Sequence, residues 1–431
     1  MISSETSSEI SPAKPVESII HQRIQELDQI PYDIRHDLPF VVADVNQLLK
    51  QHQRWLQCIP NIVPFYAVKC NPDVKLLKYM ANLGVGFDCA SLGEMQLVCD
   101  LGVDPSRIIF AHPCHAVSAL QFAAKHEVRR TTFDNIDELD KIKKHAPNMK
   151  LLLRIYAEDS TALACLGNKF GAPLDTTWAL LERAKELGLE VEGISFHIGS
   201  GASKPKAFVT AVQNARGVFK QAEMLGFTMS ILDVGGGFQD SNFEIMASTL
   251  RHAIEKEFPD SIQLIAEPGR FYARPFYTLM CKVISRRRQI VKCTQTAESD
   301  MLYLNDGIYG SFMNALTEGE TYNPSVVVIP AEYRADREPG QHVYSVWGPT
   351  CDGLDCVAKQ ITLECEVKPG DWLKFSDMGA YSLATSTQFN GFPNYYHIAY
   401  VTEHISNGHG KLVGVCREQG CPEVASAQVV V

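Results

Sequence analysis

Short apolar runs alternate with amphipathic stretches over more than half of the chain. The apolar runs predict β-strands, and between them the apolar residues recur at the spacing of one helix face. Glycines follow four of the helical stretches, at the position where a C-cap glycine is common. The predicted strands cover residues 63–68, 85–89, 107–111, 130–133, 150–155, 193–197, 230–234 and 263–266. The predicted helices cover residues 73–83, 92–101, 116–125, 137–145, 176–187, 207–225 and 242–258.

Eight strands separated by seven helices, within about 200 residues, predict a (β/α)8 barrel. A doubly wound open sheet is the alternative arrangement of the same elements. After residue 270 the helical period disappears, and short β-rich runs separated by Gly and Pro predict a second, mostly antiparallel β domain.

The predicted domain limits are residues 39–272 for the barrel and 273–405 for the β domain. Residues 1–38 form an N-terminal segment that is expected to contribute partly to a strand of the β domain. A strand at residues 39–43 precedes the barrel and is a candidate for the same sheet. Residues 406–431 are expected to be a loosely ordered tail.

Composition narrows the class of protein. An apolar content of 45% with 21% charged residues is that of a globular chain and excludes a mainly disordered one. The net charge of -10 argues against a nucleic-acid or anionic-membrane partner. The chain has no apolar stretch long enough to span a membrane and no signal-peptide pattern. Thirteen cysteines, an odd number found mostly in apolar runs, favour a reducing, cytoplasmic compartment.

Polar residues follow the predicted barrel strands, where barrel enzymes build their active sites. The residues in these positions are Lys69, Asp88, His112, Arg154, His197, Gly235, Gly236, Gly237 and Glu267. We therefore expect one barrel mouth to gather a lysine, carboxylates, imidazoles, an arginine and a glycine loop.

This set of side chains points to pyridoxal phosphate. Lys69 directly follows an apolar strand, where desolvation is expected to lower the pKa of its amine and favour reaction with an aldehyde. The glycines at 235–237 offer backbone N–H groups to a phosphate, and Ser200 adds a hydroxyl. Glu267 suits a cationic ring nitrogen, and Arg270 suits the phosphate. Lysine, phosphate loop and ring-nitrogen carboxylate together are the requirements of this cofactor.

The same segments resemble eukaryotic, fungal-like ornithine decarboxylases, a family of pyridoxal-phosphate-dependent decarboxylases with an alanine-racemase-like barrel. The resemblance runs in order from about residue 39 to residue 392. It rests on PFYAVKCN (64–71), GFDCAS (86–91), FHIGSG (196–201), DVGGGF (233–238), EPGR (267–270), NDGIYGSF (305–312), WGPTCDGLD (347–355) and GAY (379–381). It implies a barrel plus a β domain, in a head-to-tail homodimer with two shared active sites.

The resemblance also implies roles for single residues. Lys69 would bind the cofactor covalently, His197 would stack on its ring, and Glu267 would keep the ring nitrogen protonated. Asp88, Glu94 and Arg154 would orient the lysine and the cofactor. The phosphate ligands implied are Ser200, Gly237, Arg270 and Tyr381, and the further cofactor-binding residues are Gly235, Gly236 and Gly269.

A second set of residues is implied at the substrate. Cys351, reaching in from the partner subunit, would protonate the α-carbon after decarboxylation, and Asp352 would bind the distal ammonium group. Diaminopimelate decarboxylases are similar in plan but carry Glu-Ser after this cysteine, where this chain has Asp352 and Gly353. The remaining substrate residues implied are Tyr309, Thr317, Glu318 and Phe389.

The chain departs from the family pattern at three places, one of which is the segment LGNKFG (166–171), where the family's usual serine is missing. Where the family carries Tyr-Asp, this chain has Thr317 and Glu318, and the extra methylene extends the carboxylate by roughly 1.5 Å. Where the family carries Ala-Asn-Pro-Cys-Lys, this chain has AHPCH at 111–115. We interpret His112 and His115 as helix-capping or cleft-lining residues rather than metal ligands, and no metal is predicted.

The leading hypothesis is decarboxylation of a small cationic amino acid, L-ornithine, to putrescine and CO2 in polyamine biosynthesis. The first alternative is a diverged decarboxylase for lysine, arginine or an N-substituted diamino acid of alkaloid metabolism, which Thr317 and Glu318 motivate. A non-catalytic homologue like antizyme inhibitor is disfavoured because Lys69, Glu267 and Cys351 are all present. Control by an antizyme-like regulator is left open.

Overall fold

The computed structural model describes residues 15–157, 160–288, 300–327, 337–404 and 412–416. Within these ranges eight parallel strands form a closed barrel, and nine further strands form a mostly antiparallel sheet. The first barrel strand pairs with the last one, with Ile62 opposite Leu264. The barrel prediction is therefore confirmed, and the open doubly wound sheet is excluded.

The barrel strands lie within two residues of their predicted positions at most ends. The strands are β2 (Ile62–Ala67), β3 (Gly86–Cys89), β4 (Ile108–Phe110), β5 (Arg130–Phe133), β6 (Lys150–Arg154), β7 (Glu190–Ser195), β8 (Ile231–Asp233) and β9 (Gln263–Ala266). The helices between them are α3 (Val74–Asn82), α4 (Leu92–Asp100), α5 (Val117–Lys125), α6 (Ile136–His145), α7 (Thr177–Glu186), α8 (Pro205–Met224) and α9 (Phe243–Glu257).

A further helix, α2 (Val45–Cys58), precedes the first barrel strand and was not predicted. The Asp44 side chain caps it by accepting the N–H of Asn46 at 3.0 Å. Trp55 on its buried face donates to the carbonyl of Ile62 at 2.8 Å and packs against Phe243 at a ring-centroid distance of 5.6 Å. Because α2 contacts α9 and the short helix α10 (Arg270–Ala273), it fills the place of the barrel's eighth helix.

The second sheet is formed by a strand that precedes the barrel and strands that follow it in the sequence. Strand β1 (Phe40–Asp44) pairs antiparallel with β10 (Tyr277–Arg287) and parallel with β16 (His397–His404). The stretch at 39–43 thus supplies a strand to this sheet rather than to the barrel. The other strands are β11 (Asp300–Leu304), β12 (Ser325–Val327), β13 (Pro339–Trp347), β14 (Cys356–Cys365), β15 (Trp372–Phe375) and β17 (Leu412–Cys416).

Helix α1 (Pro15–Gln29) covers one face of the second sheet. Its buried Ile20 and Ile24 share an apolar cluster with Phe40, Met280 and Trp372 from three strands. The predicted tail at 406–431 lies outside the described residues except for β17, which pairs with β16. No helix in the described part of the chain is long and apolar enough to cross a membrane. Ten of the cysteines in these ranges are free thiols.

The second domain reaches the barrel mouth through the loop after β15. The N–H of Tyr381 donates to the carbonyl of Cys70 at 2.9 Å, and the Asn71 amide donates to the carbonyl of Gly379 at 3.0 Å. Asn314, on the short helix α11 (Met313–Thr317), donates to the carbonyl of Ala380 at 3.2 Å. Residues from both domains therefore meet at the carboxyl ends of the barrel strands.

Candidate active site

Lys69 and Asp88 form an ion pair at the barrel mouth. Lys69 lies in a short 3-10 turn after β2, and its Nζ donates to Oδ2 of Asp88 at 2.6 Å. The Asp88 side chain is fully buried, whereas 42% of the Lys69 side chain is exposed. Nζ is therefore held in place and still accessible to a bound group.

The pKa of Lys69 is raised above its ordinary value, so the expected lowering by desolvation is wrong. Desolvation does lower this pKa, but the charges of Asp88, Tyr381 and Glu267 act in the opposite direction and outweigh it. The sequence showed the apolar strand before Lys69 but not the carboxylates that the barrel places around it.

Glu267 lies directly after β9 and is 7% exposed. Burial raises its pKa well above the ordinary value, and the nearby charges of Asp233 and Asp88 raise it further. Its Oε1 has no hydrogen-bond partner among the residues that the structure describes. A buried carboxylate of this kind is stabilised by a cationic partner, such as a protonated ring nitrogen.

Asp233, which the sequence analysis assigned no role, lies beside Glu267. It ends β8 and is fully buried, and its Oδ1 accepts the N–H of Gly235 at 2.9 Å. Burial raises its pKa, and Glu267 hydrogen-bonds to it. In the sequence, the only indication that Asp233 belongs to the site is its position at the end of a predicted strand, directly before the glycine loop.

His197 presents a neutral ring to the same space. Burial, followed by the charges of Arg154 and Lys69, lowers the pKa of its imidazole well below the ordinary value. Its Nδ1 accepts the N–H of Gly199 at 3.0 Å, so the ring proton is on Nε2. A Cβ on Gly236 would lie 2.5 Å from Nε2, which explains why only glycine leaves room for this ring.

Arg154 and Glu94, two further predicted cofactor-binding residues, lie at the end of a barrel strand and at the start of the helix after one. Arg154 ends β6, where it is 8% exposed, and its guanidinium lies 5.0 Å from the ring centroid of Phe170. Glu94 accepts the N–H of Ala90 at 2.6 Å. Burial and the charge of Asp88 raise the pKa of Glu94. The charge of Arg154 therefore acts on His197 and Glu267, and Glu94 is bonded to the backbone after β3 rather than to Lys69.

The glycine loop and Arg270 form a polar cradle next to this centre. The N–H groups of Gly236 and Gly237 have no hydrogen-bond partner among the described residues. Gly237 has a φ of +115°, which L side chains rarely adopt. Nη2 of Arg270 lies 3.5 Å from Oγ of Ser200, and Nε and Nη1 of Arg270 are buried without a partner in the described part of the chain.

Gly269 and Tyr381 complete this cradle. A Cβ on Gly269 would lie 3.0 Å from the Cβ of Cys70, so glycine lets the backbone before Arg270 pass close to the lysine turn without displacing Cys70. The ring of Tyr381 lies 5.1 Å from Cζ of Arg270. Tyr381 has a φ of +54°, a strained conformation that is typical of functional sites.

These residues fit pyridoxal phosphate. The buried Oε1 of Glu267 lacks the partner that a protonated ring nitrogen would provide. The neutral His197 ring offers a surface for stacking, and the unpaired N–H groups of Arg270 and the glycine loop are donors for a phosphate. Nζ of Lys69 is the accessible amine of the set.

The predicted substrate residue Glu318 belongs to this cluster, and Thr317 does not. Both carboxylate oxygens of Glu318 accept from Nη2 of Arg270, at 2.8 and 2.7 Å. Thr317 is exposed, and its hydroxyl donates to the carbonyl of Met313 in its own helix at 3.1 Å.

The other predicted substrate residues form a separate group, the cysteine-loop cluster, made of Tyr309, Cys351, Asp352 and Phe389. The Tyr309 hydroxyl donates to Oδ2 of Asp352, and its ring centroid is 4.4 Å from that of Phe389. This hydrogen bond lowers the pKa of Asp352. Cys351 is exposed, and its N–H donates to Oδ1 of Asn390 at 2.9 Å. None of the described hydrogen bonds or ion pairs of Cys351 and Asp352 is made to the barrel residues.

Asp355 organises the loop that carries Cys351, a role that the sequence analysis missed. It is 1% exposed. Its Oδ2 accepts the N–H and the hydroxyl of Thr350 at 3.0 and 2.7 Å, and its Oδ1 accepts the N–H of Ile308 at 2.8 Å. These bonds tie the cysteine loop to the loop after β11. In the sequence, the only indication of this role is that Asp355 belongs to the WGPTCDGLD motif (347–355).

The two histidines of the AHPCH segment are not helix caps. His115 is buried, and its ring nitrogens lie 2.9 Å from Oε2 of Glu138 and 2.8 Å from Oγ1 of Thr131. His112 accepts the N–H of Cys114 at 3.2 Å. Helix α5, which follows, has no side-chain cap. Within the described ranges, no group of three or more His, Cys, Asp or Glu side chains is arranged to hold a metal ion.

Comparisons with known proteins agree with this geometry. Residues 45–274 match the family model for the pyridoxal binding domain of pyridoxal-dependent decarboxylases. The chain is 43% identical to ornithine decarboxylase from Neurospora crassa, over 89% of this chain and 84% of that one. It is 46% identical to the decarboxylase flvG from Aspergillus flavus, over 82% and 84%. The arginine decarboxylase of Paramecium bursaria Chlorella virus, solved with agmatine bound, superposes with a TM-score of 0.82 and 35% identity, over 89% of this chain and all of that one.

Proposed function

Because this chain belongs to the family of pyridoxal-dependent decarboxylases, we propose that its substrate is L-ornithine and its products are putrescine and CO2. The observation that carries the reaction type is the buried Glu267 carboxylate opposite the accessible amine of Lys69. The name of the 43% identical Neurospora crassa relative supports ornithine as the substrate.

When bound, pyridoxal phosphate supplies an aromatic ring that accepts the electron pair left behind as CO2 departs. Lys69 would hold its aldehyde carbon, and Asp88 would take up and return the proton at Nζ. Glu267 would keep the ring nitrogen protonated, because a buried carboxylate is stabilised by that charge. His197 would cover one face of the ring, while Arg270, Ser200 and the glycine loop would hold the phosphate.

The substrate would meet the cysteine-loop cluster from a second copy of the chain. Cys351 is exposed and makes no described contact with the lysine of its own barrel, which supports a homodimer whose sites are shared between subunits. In that arrangement Asp352 would bind the distal ammonium group and Cys351 would protonate the α-carbon. A cytoplasmic location would keep this thiol reduced. Control by an antizyme-like protein stays a prediction.

A second candidate substrate is a longer or substituted amino acid: lysine, arginine or an N-substituted diamino acid. Thr317 and Glu318 favour it, because they replace the Tyr-Asp pair of the family pattern. The structural similarity to a viral arginine decarboxylase points the same way.

Substrate profiling of the purified enzyme separates the two candidates. We expect kcat/KM for ornithine to exceed that for lysine and arginine by about 100-fold or more, since a site built to pair one ammonium group discriminates strongly by its position. The K69A variant supplies the blank for CO2 release. A preference for arginine, lysine or an N-methylated diamino acid would replace ornithine with that substrate, and no turnover of any of them would refute the decarboxylase assignment.

A further inference from the structure

The guanidinium of Arg270 is already bound to a carboxylate of the same chain, that of Glu318. The Arg270 side chain is 2% exposed, and Nη2 binds both oxygens of Glu318, whose side chain is 11% exposed. Nε and Nη1 are buried and have no partner among the described residues. Nη2 is therefore hydrogen-bonded to Glu318, whereas Nε and Nη1 are available to donate to a bound phosphate.

The charge of Glu318 acts on Arg270 directly. Burial lowers the pKa of the guanidinium, and the charge of Glu318 is the largest of the several effects that together raise this pKa above its ordinary value. A buried arginine without a counter-ion is costly, so this carboxylate stabilises the guanidinium in the cradle. The extra methylene of glutamate, relative to the aspartate of the family pattern, gives the side chain its reach.

We propose that Glu318 is the built-in counter-ion of Arg270 in the phosphate subsite, where it positions the guanidinium and opposes the phosphate charge, rather than a free ligand for the substrate's distal ammonium. This inference rests on the proposed assignment of Arg270 to the cofactor's phosphate. It follows that Asp352 provides the carboxylate for the distal ammonium, and that phosphate affinity is set by the balance between Glu318 and Arg270.

The E318Q variant tests this balance. Glutamine keeps an oxygen that accepts from Nη2 but removes the charge, so Arg270 stays in place with no counter-ion. We expect the Kd for pyridoxal phosphate, measured by reconstitution of the stripped enzyme, to fall roughly tenfold. The Kd for pyridoxal, which lacks the phosphate, should stay within about twofold, because the Coulomb term then has no anion to act on.

A matched control lies two residues away. Glu320 forms an ion pair with Arg274 at 2.7 Å and has a similarly buried side chain, at 10% exposure. E320Q should leave the affinities for pyridoxal phosphate and for pyridoxal unchanged. E318D keeps the charge but has a side chain one methylene shorter, so its affinity for pyridoxal phosphate should lie between those of the wild type and E318Q. This variant still tests the proposal if E318Q does not fold.

Other outcomes would overturn the proposal. If E318Q leaves the selectivity for pyridoxal phosphate over pyridoxal unchanged and instead raises KM for ornithine, Glu318 binds the substrate. If R270Q also leaves that selectivity unchanged, Arg270 is not in the phosphate subsite and the inference fails with it. The expected shift in selectivity, in an enzyme that turns over no amino acid tested, would support the inference and refute the proposed function.

Discussion

Nζ of Lys69 donates a 2.6 Å hydrogen bond to Oδ2 of Asp88, a carboxylate with no solvent-exposed side-chain surface. The pair joins the turn after β2 to the middle of β3. Its electrostatic effect is to raise the pKa of the lysine, since the negative charges around Nζ outweigh its desolvation. The amine that must react with an aldehyde is therefore held as an ammonium ion, and Asp88 is the acceptor next to it.

D88N should lower the pKa of Lys69, because the nearest negative charge is removed while the shape of the side chain is kept. The rate of covalent uptake of pyridoxal phosphate needs the neutral amine. Its pH profile should therefore shift to lower pH than in the wild-type enzyme, measured by absorbance during reconstitution. D104N, at a distant carboxylate whose pKa is lowered mainly by its bonds to Ser106, is the control. An identical profile in D88N would show that the pair does not control the amine.

Mixing two inactive variants should restore activity if the sites are shared between subunits. K69A removes the amine of the barrel, and C351A removes the thiol of the cysteine loop. In a mixed dimer one site has both defects and the other has neither, so random exchange should recover about a quarter of wild-type activity. Activity is measured after co-refolding or co-expression with two different tags. No recovery would place Lys69 and Cys351 in the same chain's site or show that no dimer forms.

C351A alone should change the product as well as the rate. Without the thiol, the proton that completes the reaction is delivered elsewhere, so diamine formation should slow by about 10²-fold or more. Part of the product should become the amino aldehyde, with its carbonyl oxygen supplied by water and its former amino group left on the cofactor as pyridoxamine phosphate; both compounds would be detected by chromatography. C356A, a half-buried thiol five residues away, is the matched control. Normal rate and product in C351A would show that its assigned role is wrong.

D355N should impair the cysteine loop without touching the cofactor. Asp355 accepts three hydrogen bonds that hold Thr350 and Ile308 together. Losing part of this set should displace Cys351 and lower kcat by roughly 10- to 100-fold, since small misplacements of a reacting group are costly. The share of amino aldehyde should rise as in C351A, while the Kd for pyridoxal phosphate stays constant. A changed cofactor affinity with normal product would contradict this role.

Asp306 should make the folded protein less stable as the pH rises. It is 4% exposed, and burial raises its pKa to about 6 despite the N–H groups of Gly307 and Ser311 that it accepts. The folded state therefore binds the proton more tightly than the unfolded chain, whose pKa is about 4. The stabilisation is complete below that value and is lost as the pH passes about 6.

The D306N variant tests whether ionisation of Asp306 lowers the stability of the folded protein as the pH rises. Its free energy of unfolding relative to wild type should be more favourable at pH 8 than at pH 5, by about 1.4 kcal/mol. Thermal or urea unfolding at the two pH values measures the difference. An equal difference at both pH values would show that Asp306 ionises normally in the folded protein.

Much of the fold could be predicted because its signals are local. The alternation of apolar runs and amphipathic stretches places β2 to β9 and the helices between them, since burial of one helix face or one strand depends on residues close in sequence. Helix α2 was not predicted although its signals are also local, with Asp44 as its cap and Val45, Leu48 and Trp55 on its buried face. Only its place as the eighth barrel helix depends on packing against α9 and α10, far along the chain. For the same reason β1 could be proposed as a strand, while its two neighbours had to come from the structure.

The chemistry of the site divides in the same way. The sequence by itself determined which residues follow the barrel strands, and hence that Lys69, His197 and Glu267 share one mouth. Only the tertiary structure decided that the pKa of Lys69 is raised, that Glu318 bonds to Arg270, and that Cys351 is exposed, with its N–H bonded to Asn390. Position in a strand is a property of neighbouring residues. Charge pairing and pKa depend on distances between side chains from separate elements, and these exist only once the chain has folded.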